Sequence, residues 1–267
     1  MGKVLIDESN LQAIADSIRA KNGTQETYLP SEMSTAIDNI SGGGGVPDWS
    51  QIGYENIPDN IIDSFNYSKD IRDNWDPSIT NLANKFSNDT DLVWMPLVDT
   101  SNATTINNMF YHCTDMACIA LLDFSNVTNF GGAFNSCIKL KNIPYFDMTK
   151  AQTASGMFSG CSNLREIPLL NTASVTNMNN MFSNCNLLYN VPVLDTSSVT
   201  TMSSMFTSCT SLTSESLNNI LKMCTDSAVR TTTNKKLSKI GLDQDQRTAC
   251  KRLSNYAAFI AAGWSAD

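Results

Sequence analysis

The sequence predicts an α+β chain in which a solenoid of 24-residue coils lies between helical ends. Three observations carry this. Phe86, Phe110, Phe134, Phe158, Phe182 and Phe206 stand 24 residues apart. Three residues after the last five of them come Cys113, Cys137, Cys161, Cys185 and Cys209, with Asp89 in that place in the first copy. Helical apolar spacing, by contrast, is found outside the repeating stretch, before residue 41 and again from Leu217. A coil with so few inward side chains cannot bury them alone, so it must stack on its neighbour, at about 4.8 Å per coil.

The rest of the register fills in the coil. Leu92, Met116, Leu140, Leu164, Leu188 and Leu212 follow the cysteines by three. Pro96, Pro144, Pro168 and Pro192 recur in phase, with Ala120 as the exception. Asp99, Asp123, Asp147 and Asp195 recur, with Asn171 filling the gap, and another apolar site precedes each of these by two residues. Asp and Asn side chains fold back on their own backbone, so this column reads as one turn closing each coil. The phenylalanines and cysteines read as inward ladders, because Phe in every coil stacks and free Cys is among the most buried residue types.

Composition removes several classes of function. The 267 residues carry 18 basic and 26 acidic groups, a net charge of −8, which disfavours a nucleic-acid binder that needs a basic stripe. Residues 1–210 hold 10 basic against 21 acidic groups and residues 211–267 hold 8 against 5, so the end of the chain reads as a separate unit. The longest unbroken apolar run, Tyr256 to Ala262, is far too short to span a bilayer. The opening MGKVLIDESN shows no basic flank leading into an apolar stretch, so no secretion signal is expected.

With the register in hand, a resemblance emerges. The segment VPVLDTSSVTTMSSMFTSCTSL (191–212) resembles the BspA-like class of bacterial leucine-rich repeats, and the likeness covers about residues 75–216. It implies leucine-rich-repeat coils on a surface-exposed binder rather than an enzyme. Copy three departs from the pattern, with Ala133 where Met is usual, and the first copy departs more, as an end coil facing solvent often must.

Residues 1–41 read as two short amphipathic helices, with Leu11, Ile14 and Ile18 on one stripe and Met33, Ile37 and Ile40 on the other. Some 40 residues bury too little apolar surface to fold unaided. This segment resembles the N-terminal module of tail and fibre proteins of phages infecting Gram-positive bacteria, which implies attachment to other virion proteins and a homo-oligomer, a trimer being one form. Residues 42–47 are a Gly-rich linker. Residues 48–216 are expected to form the solenoid, with Trp49, Tyr54, Ile57, Pro58, Ile61, Ile62 and Phe65 in its N-terminal cap. Residues 217–267 are expected to form a helical C-terminal cap. Leu217, Ile220, Leu221 and Cys224 make one stripe, and one final helix opens at Asp243 and Gln246 and carries Cys250, Leu253, Ala257 and Ile260.

Catalytic chemistry is short of parts. The single histidine, His112, sits beside Cys113, but a thiol facing inward and a ring facing elsewhere make no nucleophile–base pair. The cysteine column favours free thiols over disulfides, since parallel neighbours suit the roughly 90° disulfide dihedral poorly, and zinc lacks a matching pair of CxxC motifs. The aspartate column could ligate calcium, but Asn171 fits a turn better than a charge site. No catalytic residue, metal or cofactor is expected. A ligand would sit on variable exposed positions such as Tyr111, Asn135, Ser159, Ser183 and Thr207, and the aromatic candidates for a partner-binding surface are Trp94, Tyr111, Tyr145 and Tyr189. The reading that follows is a non-enzymatic virion protein of tail or baseplate. It is exposed extracellularly during adsorption and contacts a host-surface glycan or protein through the solenoid. A BspA-like bacterial adhesin and a capsid decoration or head fibre are the alternatives. Nucleic acid and membrane insertion are not expected.

Overall fold

The computed structural model describes residues 59–229 and 235–267. The expectations for residues 1–41, for the linker 42–47, for Trp49 to Pro58 and for the side chains of Ile61, Ile62 and Phe65 lie outside the described residues.

Successive 24-residue turns of chain stack in parallel. Single parallel bridges join Asn81, Thr105, Asn129, Thr153, Asn177 and Thr201 in one continuous column. Around it each coil donates to the next at fixed places: Phe86 N–H to Met109 O, Phe110 to Ala133 O, Phe134 to Met157 O, Phe158 to Met181 O and Phe182 to Met205 O, at 2.8–3.0 Å. Two positions per coil carry a left-handed backbone, one two residues before each Phe and one two residues after. That geometry penalises most L-residues, and Gly, Asn and Ser fill eleven of the twelve positions. The twelfth is His112, at φ 59°. These tight turns keep the coil from running on as strand. Among the described residues, regular strand is therefore confined to β1 (Trp94–Met95) and β2 (Cys118–Ile119), paired in parallel on another side of the coil.

The core is a column of near-parallel phenyl rings. Centroids from Phe86 through Phe110, Phe134, Phe158 and Phe182 to Phe206 lie 5.2–5.8 Å apart, with interplanar angles of 4–17°. The departure in copy three is a volume exchange. Ala133 gives up bulk where other coils have Met, while Phe130 takes the place of Ile106 and Met178 in its own register and meets Phe124 edge-on at 5.9 Å. Ala154, next in that register, leaves it room.

Both ends are closed. α1 (Asp59–Asp73) covers the first coil: the buried Ser68 hydroxyl donates to Trp94 O at 2.8 Å, and the Tyr67 hydroxyl donates to Asp89 Oδ2. Just beyond the helix, Trp75 stacks on Phe86 and donates to Asp99 O. At the other end α2 (Ser214–Asp226), capped by Thr213, buries Leu217, Ile220, Leu221 and Cys224. Ser216 and Thr196 tie it to the stack through Tyr189 O and Met223 O. The chain then returns to the ladder. Lys239 and Ile240 carbonyls accept from Ser204 and Phe206 N–H, the bonds a further coil would make.

Residues 235–242 thus act as a partial seventh coil, which the repeat register did not reveal because the Phe–Cys signature is absent there. The single final helix is also corrected. It is two helices, α3 (Gln244–Cys250) with the expected capping box, and α4 (Tyr256–Ala261). The break comes where Ser254 and Asn255 bond to Asn218 of α2. It turns Ile260 and Ala257 to solvent and seats Phe259 instead. Among the described residues, no helix is long and apolar enough to cross a membrane.

Gly241 is the tightest point of this closure. At φ +97° a Cβ would lie 2.4 Å from Thr207 N, which is backbone and cannot swing aside. Gly241→Ala is expected to cost more than about 2 kcal/mol in denaturant unfolding. Gly263→Ala, also left-handed but with nothing within 4 Å, should cost only about 1 kcal/mol. Equal losses would show that the contact with Thr207 does not matter.

Candidate partner-binding face

The column cysteines serve the stack. Each column cysteine donates its thiol to the phenylalanine carbonyl of the coil before: Cys113 to Phe86, Cys137 to Phe110, Cys161 to Phe134, Cys185 to Phe158 and Cys209 to Phe182, at 3.0–3.1 Å. All eight cysteines are free and buried, and burial pushes every thiol up, Cys113 and Cys118 to about 12. This explains Asp89. The first coil has no preceding carbonyl to meet, so its side chain accepts instead from the N–H groups of Asp91 and Leu92 and from Tyr67.

His112 is exposed and rests against Tyr111, 4.9 Å between ring centroids, while Cys113 points inward. The two do not meet. Among the described residues, no cluster of three or more His, Cys, Asp or Glu is placed to hold a metal.

The aspartate column forms turns. Asp99, Asp123, Asp147 and Asp195 each accept from the N–H two residues on through Oδ1 at 2.9–3.0 Å, and Asn171 does the same at 3.3 Å. Hydrogen bonds from the neighbouring Ser or Thr hold the Asp99, Asp147 and Asp195 carboxyls below the usual range. Their contribution to stability is therefore present above the ordinary carboxylate pKa near 4 and is lost as pH falls below it.

The variable positions after each Phe are not the exposed ones. Tyr111, Asn135, Ser159 and Thr207 are half-buried, Ser183 is buried, and their carbonyls accept the ladder bonds. The exposed row lies elsewhere. Leu97, Leu121, Tyr145 and Leu169 occupy one register and are 40, 52, 48 and 63% exposed, and Val193, half-buried, continues it. These are the apolar sites two residues before each turn residue. The sequence marked these only as apolar sites, with Tyr145 among them as a surface candidate. Their neighbours on the far side, Val98, Leu122, Phe146, Leu170 and Leu194, are buried and already fill the core.

Of the four aromatic candidates, Tyr145 alone stands in this row. Trp94 is half-buried in β1, Tyr111 lies on the ladder side, and Tyr189 is exposed in a different register, its carbonyl bonded to Ser216. The residues missed are Leu97, Leu121, Leu169 and Val193, and the repeat carried the signal: whatever exposes Tyr145 exposes its counterparts 24 residues away. Tyr145, Leu169 and Val193, with Leu170, Asn171 and Asp195, line an open groove of about 440 Å³.

A family model described as a Mycoplasma protein of unknown function, DUF285, matches residues 55–167, 80–190 and 155–234. The chain belongs to the DUF285 family. The overlapping matches run through the stacked coils and α2. No curated protein matches the sequence. Among solved structures, a leucine-rich repeat protein from Eubacterium ventriosum is similar at 21% identity, with 41% of this chain and 38% of that chain covered and a TM-score of 0.27. The chain thus matches well under half of that protein's length.

Proposed function

We propose that this DUF285 chain is a non-catalytic binding protein of the BspA-like leucine-rich-repeat type, a solenoid that engages its partner through the row from Leu97 to Val193. The carrying observation is that row: large apolar side chains recur at an exposed position although the core is already filled by its own registers. Scattered exposed apolar residues are ordinary, whereas a contiguous stripe marks an interaction site. The five column thiols are bonded inward and the exposed His112 faces away from the buried Cys113, which supports a binding role over a catalytic one.

The resemblance of residues 1–41 to phage tail and fibre modules extends the proposal to a virion. In it the N-terminal segment docks on other virion proteins, as a homo-oligomer, and the repeat stack reaches a glycan or protein on the host surface. The family description, which names a bacterium, favours a second reading, a cell-surface adhesin.

Immunogold labelling of particles and cells from the source culture separates these readings. Tail-end label is the expected result, and head label would make the protein a decoration of the capsid. Label on cells without particles would remove the virion reading and leave the adhesin. In parallel, Leu121→Asp with Leu169→Asp should lower binding of the purified chain to target cells about tenfold or more with the thermal midpoint unchanged. Unchanged binding would remove the row from the mechanism.

A further inference from the structure

Beside the apolar row runs a second one. Two residues on in each coil stand Asp99, Asp123, Asp147, Asn171 and Asp195. Asp147 is half-buried and the others are exposed. The turns hold each carboxylate by Oδ1 and leave Oδ2 outside that bond. The first three fall in consecutive coils, which stack about 5 Å apart. No ion pair among the described residues engages any of them. The cation nearest to Asp147 in sequence, Lys150, donates to Asn126, and Asp147 is drawn down chiefly by its hydrogen bonds from Thr149.

We propose that the apolar row and the carboxylate row together hold an extended segment of a partner protein in which apolar side chains alternate with lysine or arginine. This rests on the binding role given to the row above and adds the chemistry of the partner. An extended segment sends successive side chains to opposite sides. Seated edge-on between the rows, it places apolar groups on Leu97 to Val193 and cations on Asp99 to Asp195. Charge complementarity selects this occupant. A second copy presenting the same face would bring two carboxylate rows together. A neutral glycan would find a single ring face, Tyr145, among four aliphatic side chains in the row, and the carboxylates beside it would go without a cation.

The test uses the full chain and a fluorescently labelled decapeptide of alternating leucine and lysine, with a leucine–serine decapeptide as comparison. Anisotropy should show the lysine peptide binding about tenfold tighter or better, with affinity falling as salt rises. The set Asp99→Asn, Asp123→Asn, Asp147→Asn and Asp195→Asn removes the charges while keeping the turns, as Asn171 already does. It should weaken the lysine peptide by about tenfold or more. Leu121→Ser with Leu169→Ser, at exposed sites, should do the same.

If the leucine variant abolishes cell binding but the asparagine set changes neither cell nor peptide binding, the basic partner is overturned and the row's binding role stands. If neither set changes either measurement, both fall. Competition by a neutral oligosaccharide in place of the peptide overturns the proposal in favour of a glycan. Concentration-dependent self-association lost on Leu121→Ser with Leu169→Ser overturns it in favour of a second copy.

Discussion

Raising the pH from 8 to 10 under reducing conditions is expected to unfold this protein. A thiol in an unfolded chain gives up its proton near pH 8.5, whereas burial keeps the folded thiols protonated well above that. Above pH 8.5 the unfolded chain therefore binds fewer protons than the folded one. Stability is complete below that pH and is lost as pH rises toward the folded values. At pH 9.5 each such thiol costs about 1.4 kcal/mol. The six deepest, Cys118, Cys137, Cys161, Cys185, Cys209 and Cys224, together cost roughly 8 kcal/mol, comparable to the whole stability of a typical domain. Cys113 and Cys250, raised to about 12 and about 11, should each add a similar amount. Urea midpoints measured between pH 7.5 and 10 check this. A flat profile would show that the thiols ionise in place, and Cys137→Ala with Cys161→Ala should make the slope shallower.

Phe134→Ala is expected to cost about 3–5 kcal/mol, more than a like change at the exposed row. The ring is fully buried and touches Phe110, Phe158 and Phe146 at 5.2–5.6 Å. Its loss opens a cavity in mid-stack, where coils on both sides depend on it. Phe86→Ala, at the first coil and slightly exposed, should cost less. Calorimetry or urea unfolding of both variants decides this, and equal costs would argue against a column whose rings support one another.

The register made most of the repeat legible. A period of 24 without a gap located the Phe and Cys ladders, and the substitution of Asn171 within the Asp column pointed to a turn. Three features were hidden for separate physical reasons. The left-handed positions are filled by Gly, Asn, Ser and His, a set that shares no hydropathy, so no apolar pattern marks them. The partial seventh coil keeps ladder carbonyls but not ladder side chains, and backbone bonding leaves little trace in sequence. The exposed row was hidden by its own chemistry, since leucine ordinarily reads as core. Only the inequivalence of two adjacent apolar registers, Leu169 out and Leu170 in, separates binding face from interior, and that depends on the path of the coil. That His112 and Cys113 face different ways was legible, while the left-handed backbone of His112 was not.

The bonds between coils run along the stack, each coil held only by its immediate neighbours, with α1 at one end and the α2–α4 group at the other. A pull between the two ends would load these bonds lengthwise and one row at a time. Under tension the chain should therefore pay out in increments of 24 residues, roughly 80 Å of contour for each coil released. An anchored copy would yield stepwise and absorb work at each step instead of snapping free, and a single-molecule force trace would show it as an evenly spaced sawtooth.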